Sequence, residues 1–327
     1  MVDSNSTFCD LPYSSTVAIA TINAIFCVLG IIGNSLVLVT VYRTMELRIL
    51  SNLYLVALAI ADFLTSAIVQ PLLIVMVIQE SKGECNKTLE TVFRSVGNFS
   101  AAASFLILLF ITTERLLAVL KPILYKNFHP KRRFVVFISI SVILPLIYTI
   151  LRLAVSKKAT SYFSGILLVF GYIYVVACYL IILLQLRRQS RKMKRSTSIP
   201  HGEDTRSTRH AEKAVTSTMA LIIGIFTIMW GPFFYYRISQ PSTNSGEGYN
   251  WVRTTAISNS ALNFIVYALR MKRFQNAFKT TIVTVSIQCY ERRAVLMLKT
   301  ELIMYVLARM NLNLYVLDHQ SQCCWRI

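Results

Sequence analysis

Charged side chains are scarce in this chain, and their scarcity limits the classes of protein that it can belong to. Only 15% of the 327 residues are charged, whereas 55% are hydrophobic. This balance gives more apolar surface than a water-soluble domain can bury. Acidic residues are rarer than basic ones, with 15 Asp and Glu against 34 Lys and Arg. The composition therefore indicates a membrane protein, in which an acidic residue inside an apolar run is a candidate for function because a buried charge is costly.

Histidine is also rare, and the sequence shows no pattern typical of an enzyme. The four histidines, His129, His201, His210 and His319, lie between apolar runs or in the tail. They form neither an HExxH motif nor a triad-like grouping. The internal repeats and paired broken helices of secondary transporters are absent as well. An enzyme is therefore not expected, and a transporter is a weaker alternative.

Seven long apolar runs are present, each near or above the roughly 20 residues that cross the hydrocarbon core of a bilayer. Because backbone amides in lipid must be hydrogen-bonded within their own segment, all seven are predicted to be α-helices. The connections are short, so neighbouring helices are expected to pack side by side. The fold class is therefore an all-α membrane protein with a seven-helix bundle. The predicted spans are residues 17–42, 51–79, 89–120, 134–154, 162–186, 212–237 and 250–270.

The positive charge lies mostly on one side of these spans. Eight of the 34 Lys and Arg residues lie on one side and the other 26 on the opposite side, with clusters at residues 131–133 and 187–209. Positive charge marks the cytoplasmic face, so the amino terminus is predicted outside the plasma membrane and the carboxyl terminus inside. Such clusters attract anionic membrane lipids, and no nucleic-acid partner is expected. The eight residues of the outer side are Lys82, Lys87, Arg94, Arg152, Lys157, Lys158, Arg237 and Arg253.

The predicted outer side carries sites for covalent modification. The first fifteen residues lack an apolar core, so no cleavable signal peptide is expected and the first helix should direct insertion. Asn5 and Asn86 begin glycosylation sequons outside, whereas the sequon at Asn98 lies within the third span. Of the seven cysteines, Cys9 and Cys85 face the oxidising exterior, so an external disulfide can join only these two.

The tail differs from the rest of the chain. Residues 294–317 are apolar with interspersed charges, which favours an interfacial helix over an eighth span. Cys289 precedes this segment on the cytoplasmic side and is a candidate for palmitoylation. No function of the tail follows from its sequence.

Short motifs occur in order along the spans. They are GNS at 33–35, LAIAD at 58–62, ERL at 114–116, MWGP at 229–232 and NFIVY at 263–267. Each is weak alone, but all of them in the right helices resemble the rhodopsin-like (class A) G protein-coupled receptors.

This resemblance implies a domain organisation and a function. It predicts an extracellular segment at 1–16, a receptor domain at 17–280 that ends in a short amphipathic eighth helix, and a cytoplasmic tail at 281–327. A protein of this family binds an extracellular ligand and activates heterotrimeric G proteins. The alternative is a decoy receptor that binds ligand without signalling, which the variant Leu116 and Phe264 mildly favour.

Several departures from the family pattern are present. Phe264 replaces the usual proline, so the seventh helix is expected to bend less. The fourth helix lacks the family's tryptophan, and Gly171 replaces the usual proline of the fifth. Glu90 stands where a disulfide cysteine is usual, and the second outer loop, about 155–161, has no cysteine either. These departures resemble the melanocortin, lipid and adenosine receptor branch.

The family's sodium pocket is matched by one carboxylate with hydroxyl and amide oxygens, which suit a hard cation. The alternative is a polar network that only fixes helix packing. A sodium ion is the one cofactor considered. The matching residues are Asp62, Ser104, Asn259, Ser260 and Asn263.

The resemblance also implies roles at the inner end. Arg115 is expected to pair with Glu212, which lies 20 residues before Pro232, and to hold the sixth helix closed in the resting state. Ile123 is expected to insert into the G protein. The residues assigned to activation and coupling are Glu114, Arg115, Ile123, Tyr179, Glu212 and Tyr267.

Helical spacing places three arginines at the outer rim of the ligand cavity. Arg237 is seven residues after Trp230, and Arg253 is seven before Ser260. Guanidinium groups without an adjacent acid in the sixth or seventh helix favour an anionic or lipid-like ligand. Alternatively each arginine extends to the membrane interface or pairs locally, as Arg94 could with Glu90. The predicted ligand-binding residues are Arg94, Gly97, Asn98, Ala101, Trp230, Phe233, Arg237 and Arg253.

Two positions exclude familiar ligands. Gly97 stands where amine receptors keep an aspartate, so a biogenic amine held by that ion pair is not expected. Ile257 stands where opsins keep the retinal lysine, so no Schiff base can form there.

Overall fold

Each apolar run predicted from the sequence is helical in the computed structural model. The helices are long because the runs contain few residues that break helical hydrogen bonding. The described residues are 11–121, 125, 130–154, 157–195, 203–239, 246–284 and 286–288.

Seven helices follow one another along the described chain, and their order matches the seven predicted spans. An eighth helix, α8, occupies residues 272–284. The bounds are Tyr13–Arg43 for α1, Leu50–Leu64, Thr65–Val69 and Gln70–Ser81 for α2, Lys87–Leu120 for α3, Pro130–Ala154 for α4, Lys157–Arg195 for α5, Glu203–Ser239 for α6, and Glu247–Ser258, Asn259–Ala261 and Asn263–Arg270 for α7.

Six of the described helices, α1 to α6, are long and apolar enough to cross a membrane. The seventh span differs because α7 changes to a 3₁₀ turn at Asn259–Ala261 and resumes as an α-helix at Asn263. Large apolar side chains such as Phe170, Ile228 and Leu153 are exposed, as expected for surfaces in contact with lipid. The predicted all-α, seven-helix fold is confirmed.

The helix ends differ from the predicted span ends. Helix α5 covers Lys157–Arg195 instead of 162–186, and α6 covers Glu203–Ser239 instead of 212–237. Their polar ends contain no glycine or proline, so helical hydrogen bonding continues beyond the apolar run. As a result only residues 155 and 156 separate α4 from α5, and the predicted loop at 155–161 is too long.

Helix α2 contains a π-helical turn at Thr65–Val69. Pro71 follows within the next turn and has no N–H to donate, so the ordinary helical ladder cannot continue through this region. The turn faces α3, because the Ser100 hydroxyl donates to the carbonyl of Ala61 at 3.1 Å and contacts Thr65. Pro71 therefore accounts for an irregularity in this helix, which was not predicted from the sequence.

Helices α1 and α7 approach each other closely at Gly33. A Cβ atom added to Gly33 would lie 2.1 Å from Cδ1 of Phe264. Nearby, the Asn34 amide donates to the carbonyl of Ser260 at 3.2 Å. The small residue thus admits the phenylalanine ring, and Asn34 satisfies a carbonyl of the 3₁₀ turn.

The expectation that Phe264 leaves α7 less bent stays a prediction, although α7 is not a continuous α-helix. The helix is interrupted at Asn259–Ala261 without the family's proline. An interruption inside a membrane is tolerated where neighbouring side chains satisfy the exposed backbone groups. Asn34 supplies that hydrogen bond here.

The chain divides into two compact units, Met1–Gln275 and Asn276–Ile327. The first contains the seven helices. In α8 the buried residues recur at helical spacing, as predicted for an amphipathic eighth helix. They are Phe274, Ala277, Phe278 and Thr281.

Candidate functional site

Asp62 is completely buried between helices and is held by side chains from two others. Its Oδ2 accepts a hydrogen bond from the Asn263 amide at 2.7 Å, and its Oδ1 accepts a long one from Ser104 at 3.4 Å. The Ser260 hydroxyl lies close enough to interact with this carboxylate. The residues come from α2, α3 and α7, so the structure brings together four of the five residues predicted for sodium, and Asn259 directly precedes Ser260 in the 3₁₀ turn.

The same region contains buried amide oxygens that have no hydrogen-bond partner among the described residues. They are the Oδ1 atoms of Asn34, Asn259 and Asn263. An unsatisfied buried acceptor is costly, whereas a cation or a water molecule would satisfy it. A carboxylate, hydroxyls and unsatisfied amide oxygens are the donor set that a hard cation prefers, so the residues fit a sodium ion.

Arg253 lies near the end of the bundle that is predicted to face outside. This end is called the outer end. Arg253 is 5% exposed. Its guanidinium carbon lies 4.0 Å from the ring centre of Tyr249 and 5.1 Å from that of Phe93. One terminal nitrogen, Nη1, donates to Asn250 Oδ1 at 3.3 Å and contacts the sulfur of Met76 at 3.9 Å. The other, Nη2, is buried and has no hydrogen-bond partner among the described residues.

The other two rim arginines have different surroundings. Arg94 pairs with Glu90, its Nε donating to Oε1 at 2.8 Å, and its guanidinium lies 5.7 Å from the Tyr249 ring centre. Arg237 lies within electrostatic range of the Tyr249 hydroxyl. The structure therefore brings Arg94 and Arg253 against one tyrosine, Tyr249, which the sequence analysis did not single out.

Acidic residues are nearer to this cluster than predicted. Glu90 neutralises Arg94, and Glu80 from α2 accepts a hydrogen bond from Asn250 at 2.7 Å. Glu247, in the first turn of α7, accepts one from Ser15. The alternative that Arg94 pairs locally with Glu90 is confirmed. The expectation that α7 has no adjacent acid did not consider Glu247 in its first turn, and spacing along α6 and α7 could not reveal Glu80 of α2.

Aromatic rings lead from the arginine cluster towards the centre of the bundle. Tyr249 stacks on Phe233 with ring centres 6.2 Å apart, and Trp230 contacts Phe233 at 5.8 Å. Trp230 in turn stacks on Phe226 at 5.5 Å, and Phe226 on Phe105 at 5.7 Å. The predicted ligand residues Trp230 and Phe233 therefore belong to a continuous apolar column.

The remaining predicted ligand residues lie on α3. Gly97, Asn98 and Ala101 are all partly buried. A Cβ atom on Gly97 would lie 3.4 Å from Cγ1 of Val69, an ordinary contact distance, so this position of α3 faces α2. Asn98 lies within the helix, as predicted from its sequon.

The carboxylate of Glu114 is held by an arginine that the sequence analysis passed over. Arg133, near the start of α4, lies with Nε 3.3 Å from Oε1 of Glu114, and its Nη2 donates to Oε2 at 3.4 Å. Nη2 also lies 3.4 Å from the Tyr125 carbonyl, and the guanidinium lies 5.0 Å from the Tyr125 ring centre. The Tyr54 hydroxyl lies close enough to Glu114 to interact with it. These four residues form the Glu114 cluster.

Burial raises the pKa of the Tyr125 phenol, and the negative charge of Glu114 raises it further. Tyr125 therefore stays neutral and contributes an aromatic face and a carbonyl to the Glu114 cluster. The sequence shows Arg133 within the basic run at 131–133. Its distance from Glu114 along the chain does not reveal that the two residues are in contact.

The other coupling residues are described only in part. Tyr179 is buried, and Tyr267 is completely buried with its ring centre 6.1 Å from that of Phe274. Ile123 and the side chain of Glu212 lie outside the described residues. The pairing of Arg115 with Glu212 therefore stays a prediction.

The modification sites are also described in part. Cys85 is disulfide-bonded, and Cys27 and Cys178 are free, so its partner lies outside the described residues. Asn86 caps α3, since its Oδ1 accepts from the N–H groups of residues 88 and 89 at 3.0 Å. The other predicted sites, Asn5, Cys9 and Cys289, lie outside the described residues.

Comparison with known proteins shows the family. A family model for the 7 transmembrane receptor (rhodopsin family) matches residues 33–162 and 156–267, which is more than half of the chain. The octopamine receptor beta-2R of Chilo suppressalis is 25% identical over 305 residues, covering 78% of this chain and 77% of that protein. Somatostatin receptor type 2 of Sus scrofa is 24% identical over 304 residues, covering 84% and 79%.

The thyrotropin-releasing hormone receptor of Mus musculus is 26% identical over 302 residues, covering 78% of this chain and 76% of that protein. These matches confirm the resemblance inferred from the motifs, and with it the expectation of a receptor rather than an enzyme. The chain belongs to the rhodopsin family of seven-transmembrane receptors.

Proposed function

We propose that this receptor binds an anionic extracellular ligand and activates heterotrimeric G proteins from the plasma membrane, with its amino terminus outside. The observation that carries the ligand proposal is the buried guanidinium of Arg253, whose Nη2 has no hydrogen-bond partner among the described residues. Relatives named for octopamine, somatostatin and thyrotropin-releasing hormone are similarly distant, so their names do not select a ligand. The choice must come from the chemistry of the cavity.

Arg253 is prepared for an anion by its surroundings. The guanidinium lies over the rings of Tyr249 and Phe93, whose faces favour a cation there. Asn250 Oδ1 accepts a hydrogen bond from Nη1, so Nη2 is left to bind a ligand. An arginine held in this way can bind a carboxylate with little loss of conformational entropy.

The rest of the ligand is proposed to be apolar. The rings of Tyr249, Phe233 and Trp230 follow one another below Arg253 and offer aromatic surface for an acyl or aromatic body. Gly97 provides no carboxylate for an amine at the neighbouring position of α3. A carboxylate joined to an apolar body therefore matches these side chains better than an amine.

We further propose that sodium binds at Asp62. Ser104, Ser260, Asn259 and Asn263 would complete the set of oxygens. The ion would supply positive charge next to the buried carboxylate, and the residues themselves hold that carboxylate between α2, α3 and α7. We also propose that the chain belongs to the melanocortin, lipid or adenosine branch, that Asn86 is glycosylated, and that the basic segments contact membrane lipids.

A paired screen tests the ligand proposal. Small aromatic acids and fatty acids are each tested beside their methyl esters, with nucleotide exchange on purified G proteins as the readout in membranes that contain the chain. The acids should activate and the esters should not. A charge-assisted hydrogen bond contributes about 1.5–3 kcal/mol, so Arg253→Gln should weaken the response by about ten- to a hundredfold.

Matched variants separate the roles of the arginines. Arg253→Lys should recover only part of the affinity, since an ammonium group lacks the planar two-donor edge. Arg237→Gln should have a smaller effect of the same sign. Arg152→Gln, which removes a charge that donates to Tyr148 at the end of α4, should bind normally. A neutral or cationic activator, or normal binding by Arg253→Gln, would contradict the anionic ligand.

The decoy receptor remains the second candidate, favoured by Leu116 in the ERL motif and by Phe264. It predicts saturable ligand binding with no nucleotide exchange on any class of G protein. Transport of the ligand across the membrane would instead identify a transporter.

A further inference from the structure

We infer that Arg133 is a positioning residue for coupling, which holds the carboxylate of Glu114 and competes for it with Arg115, the next residue in the chain. The inference rests on the proposed activation of G proteins. Arg133 would then be a third charged residue that acts together with Glu114 and Arg115 of the ERL motif.

The contacts are specific to this pair of helices. Arg133 faces Glu114 with two nitrogens against two oxygens, at 3.3 and 3.4 Å. The side chains are 10% and 5% exposed, respectively, so water screens their charges little. Tyr125 covers the guanidinium from one side. Nη2 donates a hydrogen bond to Oε2, and Nε pairs with Oε1 by charge alone, so the contact is a charge-assisted ion pair.

Competition for the carboxylate follows from this geometry. Glu114 and Arg115 are adjacent in the chain, and Arg115 is near enough to influence the charge of Glu114. If Arg133 is removed, a buried carboxylate loses its principal cation, and a buried charge without a partner is strongly destabilising. Arg115 is then the nearest replacement. An arginine drawn to Glu114 is less able to engage a G protein, so coupling should fall.

The functional test combines two substitutions, Arg133→Gln and Glu114→Gln, each of which replaces a charged side chain with an uncharged one, and asks whether their effects add. Arg133→Gln should lower agonist-independent nucleotide exchange at matched surface expression by about tenfold, the loss expected when a charge-assisted contact is redirected. Adding Glu114→Gln should restore exchange to the level of Glu114→Gln alone, because no carboxylate remains to attract Arg115. Arg132→Gln, which removes the same charge from an exposed neighbouring position, should not change exchange.

A purely structural role predicts the opposite. If Arg133 only packs loop and helices together, the double variant should be no more active than Arg133→Gln. That result, or a loss of exchange in Arg132→Gln as large as in Arg133→Gln, would overturn the inference.

A second measurement does not depend on a G protein. Thermal unfolding of the full chain in lipid nanodiscs gives the coupling between Glu114 and Arg115 from single and double Gln variants. This coupling should be clearly larger in the Arg133→Gln background than with Arg133 present. An equal coupling in both backgrounds would overturn the inference. If the wild-type chain activates no G protein, the proposed function fails, and the unfolding cycle still decides the role of Arg133.

Discussion

The approach of α1 to α7 at Gly33 makes a sharp prediction about stability. The perturbation is Gly33→Ala, which adds one methyl group at a helix position where alanine is otherwise the better helix former. The added Cβ would lie 2.1 Å from Cδ1, and 2.3 Å from both Cγ and Cε1, of Phe264. Carbon atoms in contact are normally about 3.5–4.0 Å apart, so the ring or the helix must shift by more than about 1 Å.

The magnitude follows from two opposing effects. Alanine in place of glycine contributes about 0.5–1 kcal/mol to helix stability. Overpacking costs about 1–3 kcal/mol when neighbours must move. The ring of Phe264 is partly buried, and the following residues of α7 pack in the bundle, so overpacking should win. A net loss of about 1–2 kcal/mol is expected for Gly33→Ala.

Gly224 supplies the matched control. It also lies within a helix, but a Cβ atom there would meet no atom of the described residues within 4 Å. Gly224→Ala should therefore be neutral or slightly stabilising. Apparent unfolding temperatures of the purified chain in nanodiscs, taken at one heating rate, compare the variants.

A double variant tests the cause. Phe264→Ala removes the ring and should cancel most of the additional loss in the Gly33→Ala background, although it creates a cavity of its own. If Gly33→Ala unfolds at the same temperature as Gly224→Ala, or if its loss adds fully to that of Phe264→Ala, then the close approach at Gly33 is not what limits the packing of α1 on α7.

Three further predictions concern charge and covalent bonds. Asp62→Asn should abolish any effect of sodium on agonist affinity in radioligand competition, because the amide carries no charge; an unchanged sodium effect would count against the ion site. Glu212→Ala should raise basal nucleotide exchange at matched surface expression, since Arg115 loses its expected restraint, and equal or lower basal exchange would argue against that pairing. Cys85→Ser and Cys9→Ser should each lower the unfolding temperature, and the double variant should lose no more than either alone; additive losses would show that Cys85 bonds to a different residue.

The helices could be predicted from the sequence more reliably than their ends. An apolar run must be helical to cross lipid, so the seven spans followed from hydropathy alone. Their limits did not, because helical hydrogen bonding in Lys157–Arg195 and Glu203–Ser239 continues into polar sequence that lipid does not constrain. The π turn at Thr65–Val69 could have been suspected from Pro71, but proline alone does not say which irregularity the helix adopts.

The candidate sites could likewise be predicted from the sequence only in part. Motifs identified Asp62 and Asn263, which the structure joins at 2.7 Å across 201 residues of sequence. Helical spacing identified Arg253 but not Tyr249, although Tyr249 precedes it by one helical turn and could have been found by the same rule. Carboxylates from other helices, such as Glu80, could not have been placed, because spacing within one helix carries no information about its neighbours.

Contacts between helices also decide what a departure from a motif means. Phe264 was expected to straighten α7, since it removes the proline that usually bends this helix. Whether α7 can be interrupted depends in addition on whether a neighbour satisfies the backbone that the interruption exposes, and the Asn34 amide does so at the Ser260 carbonyl. Asn34 and Gly33 are adjacent in one motif: the asparagine satisfies the interrupted helix, and the glycine makes room for the ring that replaced proline. The effect of Phe264 in α7 can therefore be judged only together with Gly33 and Asn34 of α1, which lie against this part of the helix.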